Sequence, residues 1–430
     1  MSAVKITDRL TVASQPDIGS IADLAKDYAA LINLRPDGEE SHQPGNSAER
    51  AAATRASLGY EFVPVTGSSI TEADIRAFQQ AMNRTDGPVY AHCKGGTRVL
   101  TLYVLGEVLD GRMRREDVEA FGKDRGFDLA NAARWLARNA ARKLAVKGFY
   151  DARSGSIQYV VSDPATKRCA IIDPVYDFDE KSGATGTTHA DAILAYLESE
   201  RLTVEWILDT HPHADHFSAA HYLKAKTGAP TAIGAHITDV QTLWKGIYHW
   251  PELPADGSQW DHLFKDSDTF KIGSLEGRIL FSPGHTLASV TYVIGDAAFV
   301  NDTIFMPDSG TARTDFPGGS AKTLWASMQQ ILALPDDTRL FTGHDYQPHG
   351  RHARWESTVG EQKRANPHIA GIDEAAFIRL REARNKILPM PKLILHALQV
   401  NINGGRLPEP ESNGKRYLRF PLDALEGTAW

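Results

Sequence analysis

The chain has 430 residues, 42% of them apolar and 23% charged, with a net charge of −7. That length exceeds one ordinary core, so two or three domains are expected, with the composition of a folded, water-soluble protein. The negative balance, with no long basic run to offset it, argues against a nucleic-acid partner. No stretch reaches the roughly twenty apolar residues of a membrane span. Two cysteines, Cys93 and Cys169, are too few for a disulfide scaffold. The N-terminal residues lack the apolar core of a secretion signal. A reducing, cytoplasmic setting is therefore expected, with no membrane partner and a homo-oligomeric state.

The first 140 or so residues alternate strand-like and helix-like segments. Arg9 to Ala13, Ala30 to Leu34 and Tyr60 to Val65 read as strands. A helix follows with Thr71 as N-cap, Glu72 in its first turn and apolar residues at Ile75, Phe78 and Met82. Pro88 to Ala91 forms a further strand and runs into His92-Cys93-Lys94-Gly95-Gly96-Thr97-Arg98, after which Val99 to Leu109 reads as a helix. Strand, glycine-containing loop and helix, in that order, make an α/β domain with an anion site at a helix N-terminus. Helical stretches near 115–121 and 129–142 close the unit, and the pattern changes at 143–148. The expected domains are residues 1–143 and 148–430, the latter with a C-terminal extension from about 361.

Beyond the boundary, Ser156 to Ser162 and Arg168 to Ile172 form a hairpin around Asp163-Pro164. His189 to Glu200 reads as a helix and Val204 to Leu208 as a buried strand. A second helix, Phe217 to Thr227, ends at Gly228. Residues 237–264 carry Trp244, Tyr248, Trp250 and Trp260 among prolines and glycines, which suggests irregular structure: a lid, a subunit contact, or an insertion packed on its own aromatics. Short strands follow at Phe270 to Ile272, Arg278 to Phe281, Val290 to Ile294 and Ala297 to Asn301. From Asp373 the chain starts helical and then turns proline-rich.

Several of these strands end on a potential metal ligand. Leu208 leads into His211, His213, Asp215 and His216; later loops carry His285, Asp302 and His344. Ligands from separate strand ends can converge on one edge of a sandwich, and the H-x-H-x-D-H spacing is a high-specificity motif. The set resembles the metallo-β-lactamase superfamily, over residues 148–360, which implies an αββα sandwich.

All seven ligands are present, so residue types alone permit a dinuclear zinc hydrolase of the glyoxalase II kind acting on a thioester. The segment from Asp302 to Phe316, with His344-Asp345-Tyr346 and Asn366-Pro367-His368, instead resembles the persulfide dioxygenases. That resemblance implies one Fe(II) per chain held by His211, His285 and Asp302, and glutathione bound through Arg313 and Tyr346. Two imidazoles and a carboxylate leave an open face for O₂ and a substrate sulfur. His213, Asp215, His216 and His344 would then support the centre from around it.

The cysteine loop is similar to the active loops of tyrosine-phosphatase-like and rhodanese-like domains. Glycines let backbone N–H groups turn inward, and Arg98 would close a ring around an anion. The helix N-terminus, Lys94 and Arg98 would favour a Cys93 thiolate. Four residues, Lys94 to Thr97, separate Cys93 from Arg98, against five in protein phosphatases; the shorter ring matches the rhodanese length and suits a single sulfur on Cys93. Asp37 could be a phosphatase-type general acid, although a turn aspartate is the simpler reading. Cys169, inside an apolar run, reads as core.

The N-terminal segment as a whole resembles the tyrosine-phosphatase-like domain fused to persulfide dioxygenases in β-lactamase hydrolase-like proteins. That resemblance implies a bifunctional enzyme for sulfide detoxification. Cys93 and Arg98 would transfer sulfane sulfur between thiosulfate or sulfite and glutathione, with Lys94, Gly95, Gly96 and Thr97 binding the anion. The iron centre would oxidise glutathione persulfide to sulfite with O₂. Two alternatives stand beside it: the zinc thioester hydrolase fused to a phosphatase, and a persulfide sensor acting through Cys93.

Overall fold

The computed structural model describes residues 3–67, 70–140 and 144–425. They fall into two compact units, the first made of residues up to 142 with Gln347–Arg354, the second of residues 143–346 and 355–430. No helix among the described residues is long and apolar enough to cross a membrane.

The first unit is built on a five-stranded sheet. Val89–Cys93 lies at its centre, parallel to Leu10–Ser14 on one side and to Ala30–Asn33 on the other. Gly59–Phe62 extends the sheet in parallel, and Val4–Lys5 closes the opposite edge antiparallel. The central strand is buried along its whole length, as a parallel strand covered on both faces must be. The helix Glu72–Asn83 opens with a capping box: the Asp74 N–H donates to Thr71 Oγ1 (3.1 Å) and the Thr71 N–H to Asp74 Oδ2 (2.9 Å). It buries Ile75 and Phe78 against the helix Thr97–Leu109 that leaves the cysteine loop. The last predicted residues of the helix 129–142 lie outside the described residues; Ala130–Ala140 is helical.

Two six-stranded sheets face each other in the second unit. One orders His262–Phe264, Thr231–Gly234, Thr203–Leu208, Arg168–Ile172, Ile157–Asp163 and Ala145–Tyr150; the other runs Thr269–Ile272, Leu275–Phe281, Val290–Ile294, Ala297–Asn301, Arg339–Thr342 and Glu356–Thr358. Tyr159, Ile172 and Leu208 of the first meet Ile279, Tyr292 and Phe299 of the second in a common core. Helices Thr188–Glu200 and Ala220–Thr227 cover the first sheet, and Ala321–Leu332 with Glu374–Asn385 cover the second. The architecture is thus an α/β domain followed by an αββα sandwich. Cys169 is core: it is fully buried, and that burial pushes its thiol up to about 12.

Four expectations change. Residues 237–264 are irregular only in part: Ile237–Ile247 is a helix whose Ile237, Val240 and Trp244 share one buried face, and turns and bends follow over 249–261. Trp244 and Trp260 pack with Ile394 and Leu398, so this region is neither a lid nor self-contained. The proline-rich tail includes that partner, the helix Ile394–Asn401, and the stretch after 361 is integral to the core rather than an extension. Phe217–Ser218 is a short strand that precedes the helix Ala220–Thr227. Finally, the boundary region is itself structured, since Ala145–Tyr150 forms the edge strand of the first sheet.

Asp163 joins the sheets at the far end of the sandwich. Its carboxylate accepts from the Ala165 N–H (2.9 Å), Thr166 Oγ1 (2.9 Å), and the N–H and Oγ of Ser274 (2.8 and 2.7 Å). Desolvation opposes its ionisation, but these donors outweigh it and hold the group well below the usual carboxylate range. A depressed folded value stabilises the protein fully above the unfolded value of about 3.9 and ceases to do so as pH falls through the folded one. Asp163→Asn should therefore cost about 1–3 kcal/mol at neutral pH and cost less in strong acid. Thermal unfolding between pH 2 and 7 measures this; an equal loss at both ends would refute it.

Candidate metal centre and cysteine loop

Parallel pairing brings the metal-site residues together. Thr203–Leu208 runs parallel to Arg168–Ile172, and Ala297–Asn301 parallel to Arg339–Thr342, so each pair delivers its following loops to one edge. His211 leaves the first pair, Asp302 and His344 the second, and His285 follows Leu275–Phe281. Tyr292 Oη donates to the Asp209 carbonyl (2.8 Å) and the Val290 N–H to the Thr210 carbonyl (3.0 Å), which pins the two sheets at this point. Gly343 permits the approach, because a Cβ there would lie 2.5 Å from Asp302 Oδ1.

Donor atoms of His211, His285 and Asp302 lie within 4.8 Å of one another, all buried. The Thr210 hydroxyl donates to Asp173 (2.8 Å) and so accepts from His211 Nδ1 (2.9 Å), leaving His211 Nε2 buried without a hydrogen-bond partner. His285 Nδ1 donates to the Arg313 carbonyl (2.8 Å), which turns Nε2 toward Asp302 Oδ2 at 3.6 Å. Such outer hydrogen bonds fix the tautomer a metal requires. Burial lowers the pKa of both rings, for His211 well below the ordinary value, so both are neutral near pH 7. Two bare imidazole lone pairs beside a carboxylate fit a divalent transition metal.

A second set, His213, Asp215 and His216, also lies within 4.8 Å, but its environment differs. His344 donates from Nδ1 to Asp302 Oδ1 (2.6 Å) and from Nε2 to Asp215 Oδ2 (2.8 Å). Burial disfavours the charged ring, yet Asp302, Tyr346 and Asp215 outweigh it and raise His344 well above the ordinary histidine range. Burial likewise opposes ionisation of Asp302, and the charge and hydrogen bond of His344 overcome it. His216 Nδ1 also reaches Asp215 Oδ2, at 3.0 Å.

A cavity of about 870 Å³ opens beside these groups, lined among others by Arg153, Phe178, Arg313, Tyr346, Arg381 and Arg384. Tyr346 stacks on His344 with centroids 5.6 Å apart. Arg313 lines the cavity and is engaged within the protein. Its guanidinium grips Asp315 through Nε (2.7 Å) and Nη2 (2.6 Å), and Nη1 donates to the Pro389 carbonyl (2.7 Å), so three of its five N–H groups are spent within the protein. Sequence reading missed Arg381 and Arg384, whose helix reaches the cavity only through tertiary packing. It also missed Asp173 and Asp209, which group with His213. Burial raises Asp209 to about 7, against hydrogen bonds from Trp260 Nε1 and Ser218 Oγ. Asp173 follows its strand as His211 follows its own, which was a readable signal.

In the first unit Cys93 is buried at the end of the central strand, and the Gly96 N–H points to its Sγ at 3.1 Å. Gly96 has φ +87°, and an added Cβ would crowd Val12 and Phe127 at 3.0 Å, so this turn requires glycine. Thr97 then begins the helix. Arg98 is held differently from the expected open ring: Nη1 donates to the carbonyls of Leu34 (3.2 Å) and Val65 (2.6 Å), and Nη2 pairs with Glu39. Lys94 pairs with Glu40 at 2.5 Å. Glu39 supplies the counter-charge for this half-buried guanidinium. Behind the loop His92 Nε2 meets Glu49 Oε2 at 3.0 Å, both fully buried. Asp37 accepts from the Asn46 N–H (2.7 Å) at the start of the helix Asn46–Arg55, the turn role rather than that of an acid.

Comparison with known proteins agrees with this architecture. Residues 3–110 match the phosphatase-like domain of the β-lactamase hydrolase-like protein, and residues 154–344 the metallo-β-lactamase superfamily. The β-lactamase hydrolase-like protein of Xylella fastidiosa strain 9a5c is 69% identical over 431 residues, covering 100% of both chains. Glyoxylase B2 of Dictyostelium discoideum is 45% identical over 66% of this chain and 99% of its own. The mitochondrial persulfide dioxygenase ETHE1 of Mus musculus is 27% identical over 64% of this chain and 94% of its own. Among solved structures, ETHE1 from Myxococcus xanthus is 30% identical with a TM-score of 0.50, over 61% of this chain and 100% of that one. With its metal-binding cluster the second unit has the constitution of a metal-dependent enzyme of that superfamily. The chain belongs to the β-lactamase hydrolase-like family, a phosphatase-like domain followed by a metallo-β-lactamase domain.

Proposed function

We propose that the second unit is a persulfide dioxygenase holding one Fe(II) on His211, His285 and Asp302, and that the first unit is a sulfurtransferase acting through Cys93. One contrast carries the reading. His211 Nε2 is buried and bare, whereas both ring nitrogens of His344 are spent on carboxylates. His213 and His216 Nε2 are likewise without hydrogen-bond partners, so the contrast lies in His344 and Asp215, which are already paired with each other where a second ion would draw on them, and this favours one ion over two.

Bound there, Fe(II) would supply open coordination positions for O₂ and a substrate sulfur. The protein's own contribution is to hold two neutral imidazoles and one carboxylate in place, to keep His344 protonated between Asp302 and Asp215, and to enclose the reacting sulfur. Glutathione persulfide, O₂ and water become glutathione, sulfite and two protons. In the first unit the Cys93 thiolate takes the outer sulfur of thiosulfate and releases sulfite; glutathione then takes that sulfur from Cys93, giving glutathione persulfide and restoring the thiolate. The product of one unit is the substrate of the other.

With the Arg313 fork closed on Asp315, the exposed Arg384 at the cavity is the better partner for a glutathione carboxylate. Arg384→Ala should raise KM for glutathione persulfide roughly tenfold with kcat little changed, the signature of lost uniform binding. A change in kcat alone would reject this role.

A second reading, a glyoxalase II-like thioester hydrolase, is favoured by sequence identity: 45% to Dictyostelium glyoxylase B2 against 27% to mouse persulfide dioxygenase. The His213, Asp215 and His216 cluster could hold its second ion. Oxygen consumption on glutathione persulfide, thioester hydrolysis and metal content, all measured on one purified sample, decide between the two. One iron with O₂ uptake and sulfite release supports the dioxygenase. Two zinc ions with thioester hydrolysis and no O₂ uptake replaces it.

A further inference from the structure

We infer that the Ser156 hydroxyl sets the number of metal ions at the centre, holding it to one by tying up the side chains a second ion would need. The inference rests on the one-ion reading above and deepens it. Ser156 Oγ donates to Asp215 Oδ2 (2.8 Å) and lies 3.0 Å from His344 Nε2 and 3.2 Å from His216 Nδ1. One hydroxyl thus touches three groups that, by residue type, complete a dinuclear site.

Its placement is rigid. Ser156 is buried and forms an antiparallel bridge with His344 itself, the next N–H, of Ile157, donates to the Gly343 carbonyl (2.9 Å), and the Ser156 carbonyl accepts from the Asp151 N–H (2.9 Å). Ser154 Oγ stands 2.7 Å from Ser156 Oγ and 2.6 Å from Asp151 Oδ2, extending the chain to a further carboxylate. Asp215 Oδ2 therefore receives Ser156, His216 and His344 together. An ion taking Asp215 Oδ2 and His344 Nε2 would have to displace the hydroxyl from both at once, while His216 could still offer its bare Nε2. Among the first set, His211 Nε2 has no hydrogen-bond partner and the Ser156 hydroxyl touches none of the three side chains.

The experiment strips the full-length protein of metal, reloads it with excess Zn(II) or Co(II), removes unbound ion and counts metal per chain, with the Co(II) absorption spectrum as a second readout. Wild type should hold one ion. Ser156→Ala and Ser156→Gly, which both remove the hydroxyl without adding a metal ligand, should each hold two and show additional Co(II) absorption. Ser156→Thr, which keeps the hydroxyl, should return to one. Wild type at one and both hydroxyl-less variants also at one would overturn the role of Ser156 and leave the one-ion reading intact. Wild type already at two would overturn the one-ion reading itself. A merely structural serine would alter thermal stability in these variants without changing the count.

Discussion

Asp302→Asn is expected to abolish metal loading and lower O₂ uptake on glutathione persulfide by at least about a hundredfold, since loss of even an outer partner of a metal ligand costs 10- to 100-fold. The substitution removes charge from both functions of the residue: Oδ2 faces His285 across the metal position, and Oδ1 accepts from His344. Metal analysis and an oxygen electrode on the same preparation read the outcome. Retained iron with retained uptake would remove Asp302 from the ligand set. The metal-free protein carries a second signature. Asp302, depressed in the folded state, adds stability above about pH 4 that is lost as pH falls through its folded value. His344, raised in the folded state, adds stability below about pH 6.5 that is lost as pH rises through its folded value. Wild-type apoprotein should therefore gain from the pair most between these limits, and the variant should lose part of it there, since Asp215 still faces His344.

The second large effect separates the two units. Cys93→Ser should abolish sulfur transfer from thiosulfate to glutathione, because a serine hydroxyl is not ionised at neutral pH and cannot carry a sulfane sulfur. Oxygen uptake on glutathione persulfide supplied directly should be unchanged. Sulfur transfer that survives in Cys93→Ser would reject the nucleophile. If the protein were instead a sensor, wild type would take up one sulfur on Cys93 and release no sulfite over many turnovers.

What could be read from the sequence was whatever is local. A buried strand ending abruptly in His or Asp announced His211, His285 and Asp302 one loop at a time, and the two glycines after Cys93 announced a turn at a helix start. The helix Ile237–Ile247 was locally encoded too, in Ile237, Val240 and Trp244, but the prolines and glycines after Trp250 obscured it when the region was taken as one. The Arg313–Asp315 grip spans two residues and was readable in principle. By contrast, Glu39 on Arg98, Glu49 on His92 and Ser156 on Asp215 join residues far apart in the chain, so each depends on the completed fold. Those long-range partners decide what the motifs do: they neutralise the charges of the cysteine loop and settle which histidines still have a lone pair to give.

The proposed ligands come from opposite layers of the sandwich, His211 from the sheet of Thr203–Leu208 and His285 with Asp302 from the sheet of Ala297–Asn301. No half of the second unit contains them all, so an ion cannot be gripped until both sheets have formed and closed. Metal binding there would then be a late event in folding that draws on contacts distant in sequence, the slow kind to assemble. Once made, it would act as a rivet through the two layers: free ion would stabilise only the finished fold, by an amount that grows with its concentration over its dissociation constant. A cell short of the metal would hold this protein both idle and easier to unfold, so supply of the ion would govern how much enzyme survives as well as how much works.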